Sequence, residues 1–194
     1  MDYDYLLQVI TIGDVNCGKS VLIKMYAEGI SELYPSRLGV EFSVKTIELN
    51  GMVIKQRLFD TCGQERYLGL QRSYYRGAHI CALMFDLTRI ESFDRACNFW
   101  YREIKKNIVN DFYEIILIGT KVDLMDKRQV PQEQIDAFCN QYDLPYKAIN
   151  VKCKTDVENI FDEASLKVIK KGKITKCERK IIPKQIKAKR TICY

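Results

Sequence analysis

Gly13, Gly18, Lys19 and Ser20 stand in the spacing G-x-x-x-x-G-K-S, inside the stretch GDVNCGKS. That spacing suits the capture of a phosphate chain. Successive backbone N–H groups along Gly13, Asp14, Val15, Asn16, Cys17, Gly18, Lys19 and Ser20 would point at an anion, and the N-terminus of a following helix would favour it. Lys19 would reach the outer phosphates and the Ser20 hydroxyl would ligate Mg2+. The bland alternative is a chance glycine-rich turn, which a place between a predicted strand and a predicted helix argues against.

Two further stretches carry weaker signals. In FDTCGQERY, residues 59–67, Asp60 at a strand end suits a carboxylate acting on Mg2+ through water. Gly63 allows close backbone approach to a terminal phosphate, and Gln64 can orient a water. Alone, Asp-x-x-Gly is equally a simple turn. In GTKVD, residues 119–123, the Asp123 carboxylate can accept two N–H donors from a guanine edge. Adenine offers no such pair. Thr120 belongs to the same string and Lys121 can lie along the base. Alone, this is an ordinary exposed Lys/Asp pair.

The elements that would position these residues follow from periodicity. YLLQVITIG, residues 5–13, predicts a buried strand, and residues 19–29 predict a helix closed by Gly29. Residues 40–60 predict two antiparallel strands around Asn50-Gly51, because a type I′ turn needs positive φ at both central residues. Further strands are predicted at 79–88, 113–123 and 146–150. Helices are predicted at 92–106 with Ser92 as N-cap, at 131–142 with Pro131 in the first turn, and at 156–171 with Asp156 as N-cap. Alternation of this kind predicts a mostly parallel sheet covered on both faces. Ligands of such sheets bind at the carboxyl ends of the strands. The loops 13–20, 60–66, 119–123 and 150–153 all fall there, so their motifs read as one site.

Composition narrows the partners. The chain has 194 residues, 47% of them hydrophobic, enough for one domain with a substantial core. No apolar run reaches the ~20 residues of a membrane span. The acidic N-terminus runs straight into a strand pattern, so no signal peptide is expected. The eight cysteines form no C-x-x-C pair and several sit in apolar patterns, which favours reduced, mostly buried thiols over a disulfide or zinc framework. Charge is segregated. Residues 167–194 hold eleven Lys or Arg against one acidic residue, a net +10, while the other 166 residues hold 20 basic against 24 acidic, a net −4. A mildly acidic globule, residues 1–171, thus precedes a basic tail, 172–194, expected to be flexible. Nothing aromatic interleaves the tail charges to favour nucleic acid, and none is expected as a partner.

Taken in order, G-x-x-x-x-G-K-S, D-T-x-G-Q-E, T-K-x-D and a basic tail resemble the Ras superfamily of small GTPases. The strings LGVEF (38–42), KTIEL (45–49), DTCGQERY (60–67), YYRGA (74–78) and LMFDLTRIESF (83–93) are most similar to its Rab branch. The resemblance covers about residues 5–170. It implies a three-layer α/β P-loop fold, with a six-stranded, mostly parallel sheet containing one antiparallel strand. It implies GTP and GDP as ligands, Mg2+, Gln64 as the catalytic residue, and a GTP hydrolase working as a switch in vesicle or membrane trafficking; the departures below make that hydrolysis slow. It also implies switch segments near 30–42 and 60–76 that order around the γ-phosphate. Effectors and regulators would bind there on a surface of Phe42, Phe59 and Tyr74, residues that pattern alone assigns to core packing. Val151 would offer its backbone N–H to the guanine oxygen, with Lys152 the one match to the family's S-A-K string. The expected location is the cytosolic face of membranes, with the basic tail on anionic lipid and the protein a monomer.

Departures from the family bear on hydrolysis. Val15 stands where Ras has glycine, and a branched side chain there would crowd the γ-phosphate, Gln64 and any incoming arginine. Arg37 occupies the place of the switch threonine. Either Ser36 slips into the Mg2+-binding role or Arg37 meets a phosphate. Ile30 replaces the aromatic ring against the guanine, which implies faster exchange. Asn150 replaces a serine, which puts the geometry of that loop in question. The terminal TICY is neither a C-a-a-X box nor a cysteine pair, leaving Cys193 as the lipid candidate. Two other functions fit the phosphate loop: a GTP-holding binding module with little turnover, and a P-loop nucleotide kinase, which would need an Arg-rich lid not evident before the tail and would not need GTKVD or DTCGQE.

Overall fold

The computed structural model describes residues 3–29, 41–64 and 68–172. Ile30, Ser36, Arg37, Cys193 and the tail beyond Gly172 lie outside the described residues.

Six strands form one sheet: β1 (Tyr5–Gly13), β2 (Glu41–Leu49), β3 (Met52–Asp60), β4 (Ile80–Asp86), β5 (Glu114–Thr120) and β6 (Tyr146–Ala148). Their spatial order is β2-β3-β1-β4-β5-β6. Only the β2–β3 pair is antiparallel. Its turn is the one the sequence predicts: Asn50 and Gly51 have φ of 52° and 73°, the left-handed pair that matches strand twist in a type I′ turn.

Helix α1 (Lys19–Glu28) follows β1 and stops at Gly29, whose φ of 71° lets its N–H bond back to Met25 O. Helix α2 spans Leu68–Tyr75. A third helical run comprises α3 (Ile90–Arg95), a π-turn (Ala96–Trp100) and α4 (Tyr101–Asn107). A 3₁₀ helix covers Val122–Lys127, α5 covers Gln132–Tyr142 and α6 covers Lys154–Lys171.

Burial follows the two-residue period of the strands. Leu7, Val9, Ala82, Met84, Ile116 and Ile118 face one core with α1 and α6. Ile10, Ile12, Leu83, Phe85, Ile115 and Leu117 face the other, with Trp100, Ile104 and Ile135. A sheet buried on both faces explains why β4 and β5 read as unbroken apolar runs.

Three local expectations change. Ser92 is not an N-cap. Arg89 holds that place, and Ser92 lies buried within α3, its Oγ accepting from Asp86 N–H at 2.9 Å and 2.7 Å from Arg89 O. Asp156 lies in the first turn of α6, one turn inside the N-cap Cys153, where a carboxylate still favours the helix N-terminus. Pro131 is the N-cap of α5 and not its first helical residue. The six cysteines among the described residues, Cys17, Cys62, Cys81, Cys97, Cys139 and Cys153, are all free thiols. Trp100 is a packed helix residue and His79 leads into β4.

Candidate nucleotide site

The carboxyl ends of β1, β3, β4 and β5 bring the predicted motifs together. At the end of β1 the backbone turns at Gly13, where a Cβ would collide with the Met84 carbonyl. Asn16 (φ 63°) and Gly18 (φ 90°) take left-handed conformations on either side of Cys17. Such alternation curls successive amides into a concave nest. Gly18 caps α1 with no side-chain hydrogen bond to the helix's first amides, so those donors are left to the loop side. Lys19 is buried and its Nζ folds over the loop to donate to Asp14 O at 2.7 Å. Cys17 Sγ lies 2.9 Å from the same carbonyl, and burial pushes its thiol pKa up. Val15 stands on the rim with its side chain exposed.

Behind this loop, Thr120 Oγ1 is 3.0 Å from both Cys17 O and Phe85 O, which joins the end of β5 to residues 13–20. Lys121 then turns the chain at φ 62° into the 3₁₀ helix, whose first turn presents Asp123 to solvent. Lys121 Nζ pairs with the buried carboxylate of Asp86. Burial alone would raise the Asp86 pKa, but hydrogen bonds from Lys121 and Thr88 outweigh it and hold the carboxyl below its ordinary value. In the last loop, Val151 packs against Gly18: a Cβ on Gly18 would meet its methyl carbons at 3.6 Å and the Thr120 methyl at 4.0 Å. Asn150 suits this loop well, since its Oδ1 accepts the Lys152 N–H at 3.0 Å and its carbonyl the Cys153 N–H at 2.8 Å.

On the other side, Asp60 ends β3 with its Oδ1 3.3 Å from Thr11 Oγ1, and Thr61 hydrogen-bonds Thr11 O. Gly63 lies flat on the loop of residues 13–20. A Cβ there would sit 2.5 Å from Asp14 C and 2.6 Å from Val15 N. Gln64 follows, and its Oε1 has no hydrogen-bond partner among the described residues. Phe42, Phe59 and Tyr74 form a continuous aromatic row, with ring centroids 5.3 Å and 4.8 Å apart. Phe59 is buried while Phe42 is 55% exposed, so the row runs from core to surface.

Ser20 and Asp60 bring hard oxygen donors to this end of the sheet, the class that suits Mg2+ held together with phosphate oxygens. No cluster of three His, Cys, Asp or Glu able to hold a metal occurs among the described residues.

The sequence model of the Ras family matches residues 8–170. The chain belongs to the Ras family, in its Rab branch. The human Ras-related protein Rab-30 is 34% identical over 176 residues, covering 89% of this chain and 84% of that protein. Ras-related protein RABD2a of Arabidopsis thaliana is 37% identical over 161 residues, covering 82% and 78%. Ras-related protein Rab-8B of Pongo abelii is 38% identical over 160 residues, covering 82% and 76%. The protein is therefore a GTP-binding small GTPase of the kind that serves vesicle trafficking. No helix among the described residues is long and apolar enough to cross a membrane.

Sequence patterning gives no sign of two residues that meet the 13–20 loop. Arg89 and Arg95 both pair with Asp14, each at 3.2 Å. They lie 75 and 81 positions from it in the chain, and nothing in local spacing marks them.

Proposed function

We propose that this Rab-type protein is a slow GTPase switch in which residues 13–20 cradle the phosphates of GTP or GDP. The convergence of that loop with Thr120 and Val151 carries the reading. Lys19 exchanges its bond to Asp14 O for the outer phosphates. Ser20 ligates Mg2+ directly and Asp60 acts through water, with Ser36 the further metal ligand. Asp123 reads the guanine edge, Lys121 lies along the base, and Val151 and Lys152 close the base pocket. Gly63 and Gln64 attend the γ-phosphate, with Gln64 orienting the attacking water.

The row of Phe42, Phe59 and Tyr74 is the surface for effectors and regulators. Residues 1–171 form the nucleotide-binding domain, and residues 172–194 hold the monomeric protein to anionic lipid on the cytosolic face of a membrane. Each Lys or Arg near such a surface contributes roughly 1 kcal/mol.

A second reading, a GTP-holding module with little turnover, draws support from Val15 on the rim beside the contact of Gly63 with Asp14 and Val15. Analysis of co-purifying nucleotide together with Asp123→Asn tests the first reading. The wild type is expected to hold guanine nucleotide and the variant to prefer xanthine nucleotide, because an amide donor would then face a donor. Equal affinity of the wild type for ATP and GTP overturns the assignment. Single-turnover hydrolysis separates the switch from the holding module.

A further inference from the structure

We propose that Arg89 is a positioning residue for the phosphate loop, holding it from outside and tying it to the base-reading loop. This rests on the site proposed above. Arg89 Nη2 donates to Asp14 Oδ2 at 3.2 Å and to Val15 O at 2.7 Å. Arg95 Nε stands 3.2 Å from the other carboxylate oxygen, Asp14 Oδ1. One guanidinium therefore grips two consecutive residues of the loop, one by its side chain and one by its backbone, and a second fixes the carboxylate from the next turn of α3. Both bonds come from the one Nη2, whose two N–H groups meet the two acceptors.

The arrangement answers two physical needs. Asp14 places a negative charge beside a loop built for a polyanion. The two arginines turn that local charge from −1 to +1 and draw the carboxylate outward. The Asp14–Val15 peptide is also where Gly63 rests, so its orientation sets the direction of the amides that follow. Fixing the Val15 carbonyl outward, towards α3, turns the next amide in the opposite direction, into the nest.

Arg89 is itself held by a rigid turn. Its N–H bonds Asp86 O at 3.1 Å, and its carbonyl accepts from Ser92 Oγ. Asp86 Oδ1 takes Thr88 N at 2.9 Å and Thr88 Oγ1 at 2.7 Å, while Oδ2 takes Lys121. A continuous path thus runs from Lys121, through Asp86 and the Arg89 turn, to Asp14 and Val15. Base contact and phosphate contact share this support.

Release of a fluorescent GDP from the full chain tests the assignment, with thermal unfolding measured on the same samples. Arg89→Ala is expected to speed release by about tenfold or more, as loss of charge-assisted hydrogen bonds implies. Arg89→Lys is expected to recover part of the difference. The effects of Asp14→Ala and Arg89→Ala are expected to be less than multiplicative when combined, because they share an interaction. Lys147→Ala, which breaks an exposed pair with Glu163 away from the site, serves as the control and is expected to leave release unchanged. Release from Arg89→Ala at the wild-type rate, or a lowered melting temperature with unchanged release, overturns the inference and leaves the site standing. A wild type that retains no GDP overturns both.

Discussion

The Thr120 hydroxyl lies 3.0 Å from the carbonyl of Cys17, a contact between residues 103 positions apart that fastens the end of β5 to the back of the 13–20 loop. Its other neighbour, Phe85 O at the same distance, belongs to β4, so one buried hydroxyl holds three chain segments. Thr120→Val keeps the shape and leaves both carbonyls without that donor. The expected loss is about 1–3 kcal/mol of stability, read from urea unfolding, together with weaker GDP binding. Thr120→Ser, which retains the hydroxyl, should recover most of the binding.

Val15→Gly is expected to raise single-turnover GTP hydrolysis by about tenfold, equivalent to roughly 1.4 kcal/mol of barrier. The branched side chain has little χ1 freedom with which to move aside. An unchanged or lower rate shows that the loop already accommodates Val15 and that slow turnover has another origin.

Gly63→Ala should act in the opposite direction. The added methyl would meet backbone atoms of Asp14 and Val15 at 2.5–2.7 Å, and backbone cannot swing away as a flexible side-chain end can. The contact must open, at a cost of about 1–3 kcal/mol. A lower urea midpoint and slower GTP hydrolysis are expected. A variant as active and stable as wild type would place Gly63 away from the loop.

His79, the single histidine, gives a clean pH signal. Its Nδ1 accepts the Gln8 N–H at 3.0 Å, and burial holds its pKa below the ordinary 6.5. The folded state therefore prefers the neutral ring. Its contribution is complete above the unfolded value of 6.5 and is lost as pH falls through that value towards the folded one. The urea midpoint should fall on acidification from pH ~7 to ~5. His79→Asn, which keeps an acceptor without a titratable ring, should flatten this part of the profile. Equal slopes for both proteins would remove His79 as the cause.

Much of this was legible beforehand where physics is local. Alternating apolar residues around Asn50-Gly51 admit little besides a type I′ hairpin, and a Gly-rich loop between strand and helix has few other uses. Pattern alone places Phe59 in the core, where it lies, while its stacking on Phe42 and Tyr74 depends on the packing of β2, β3 and α2. What escaped was non-local or irregular. Helix α2 has too little apolar periodicity to announce itself. The π-turn at Ala96–Trp100 lies inside a continuous helical pattern. Ser92 has the chemistry of a cap, yet tertiary contact with Asp86 uses its hydroxyl as an internal brace. The Asp14–Arg89–Arg95 cluster depends on the sheet order and has no spacing signature.

That sheet order also sets a schedule for folding during synthesis. β1 emerges first but lies mid-sheet, and its partners are residues 54–60 of β3 and 80–84 of β4. It must wait for some seventy further residues before both edges are covered. The β2–β3 hairpin closes through a local turn and can form while β1 remains unpaired. Contacts this distant slow folding and prolong exposure of apolar strand edges. Until residue 86 has left the ribosome, YLLQVITIG is therefore the segment of the nascent domain with most to gain from a chaperone.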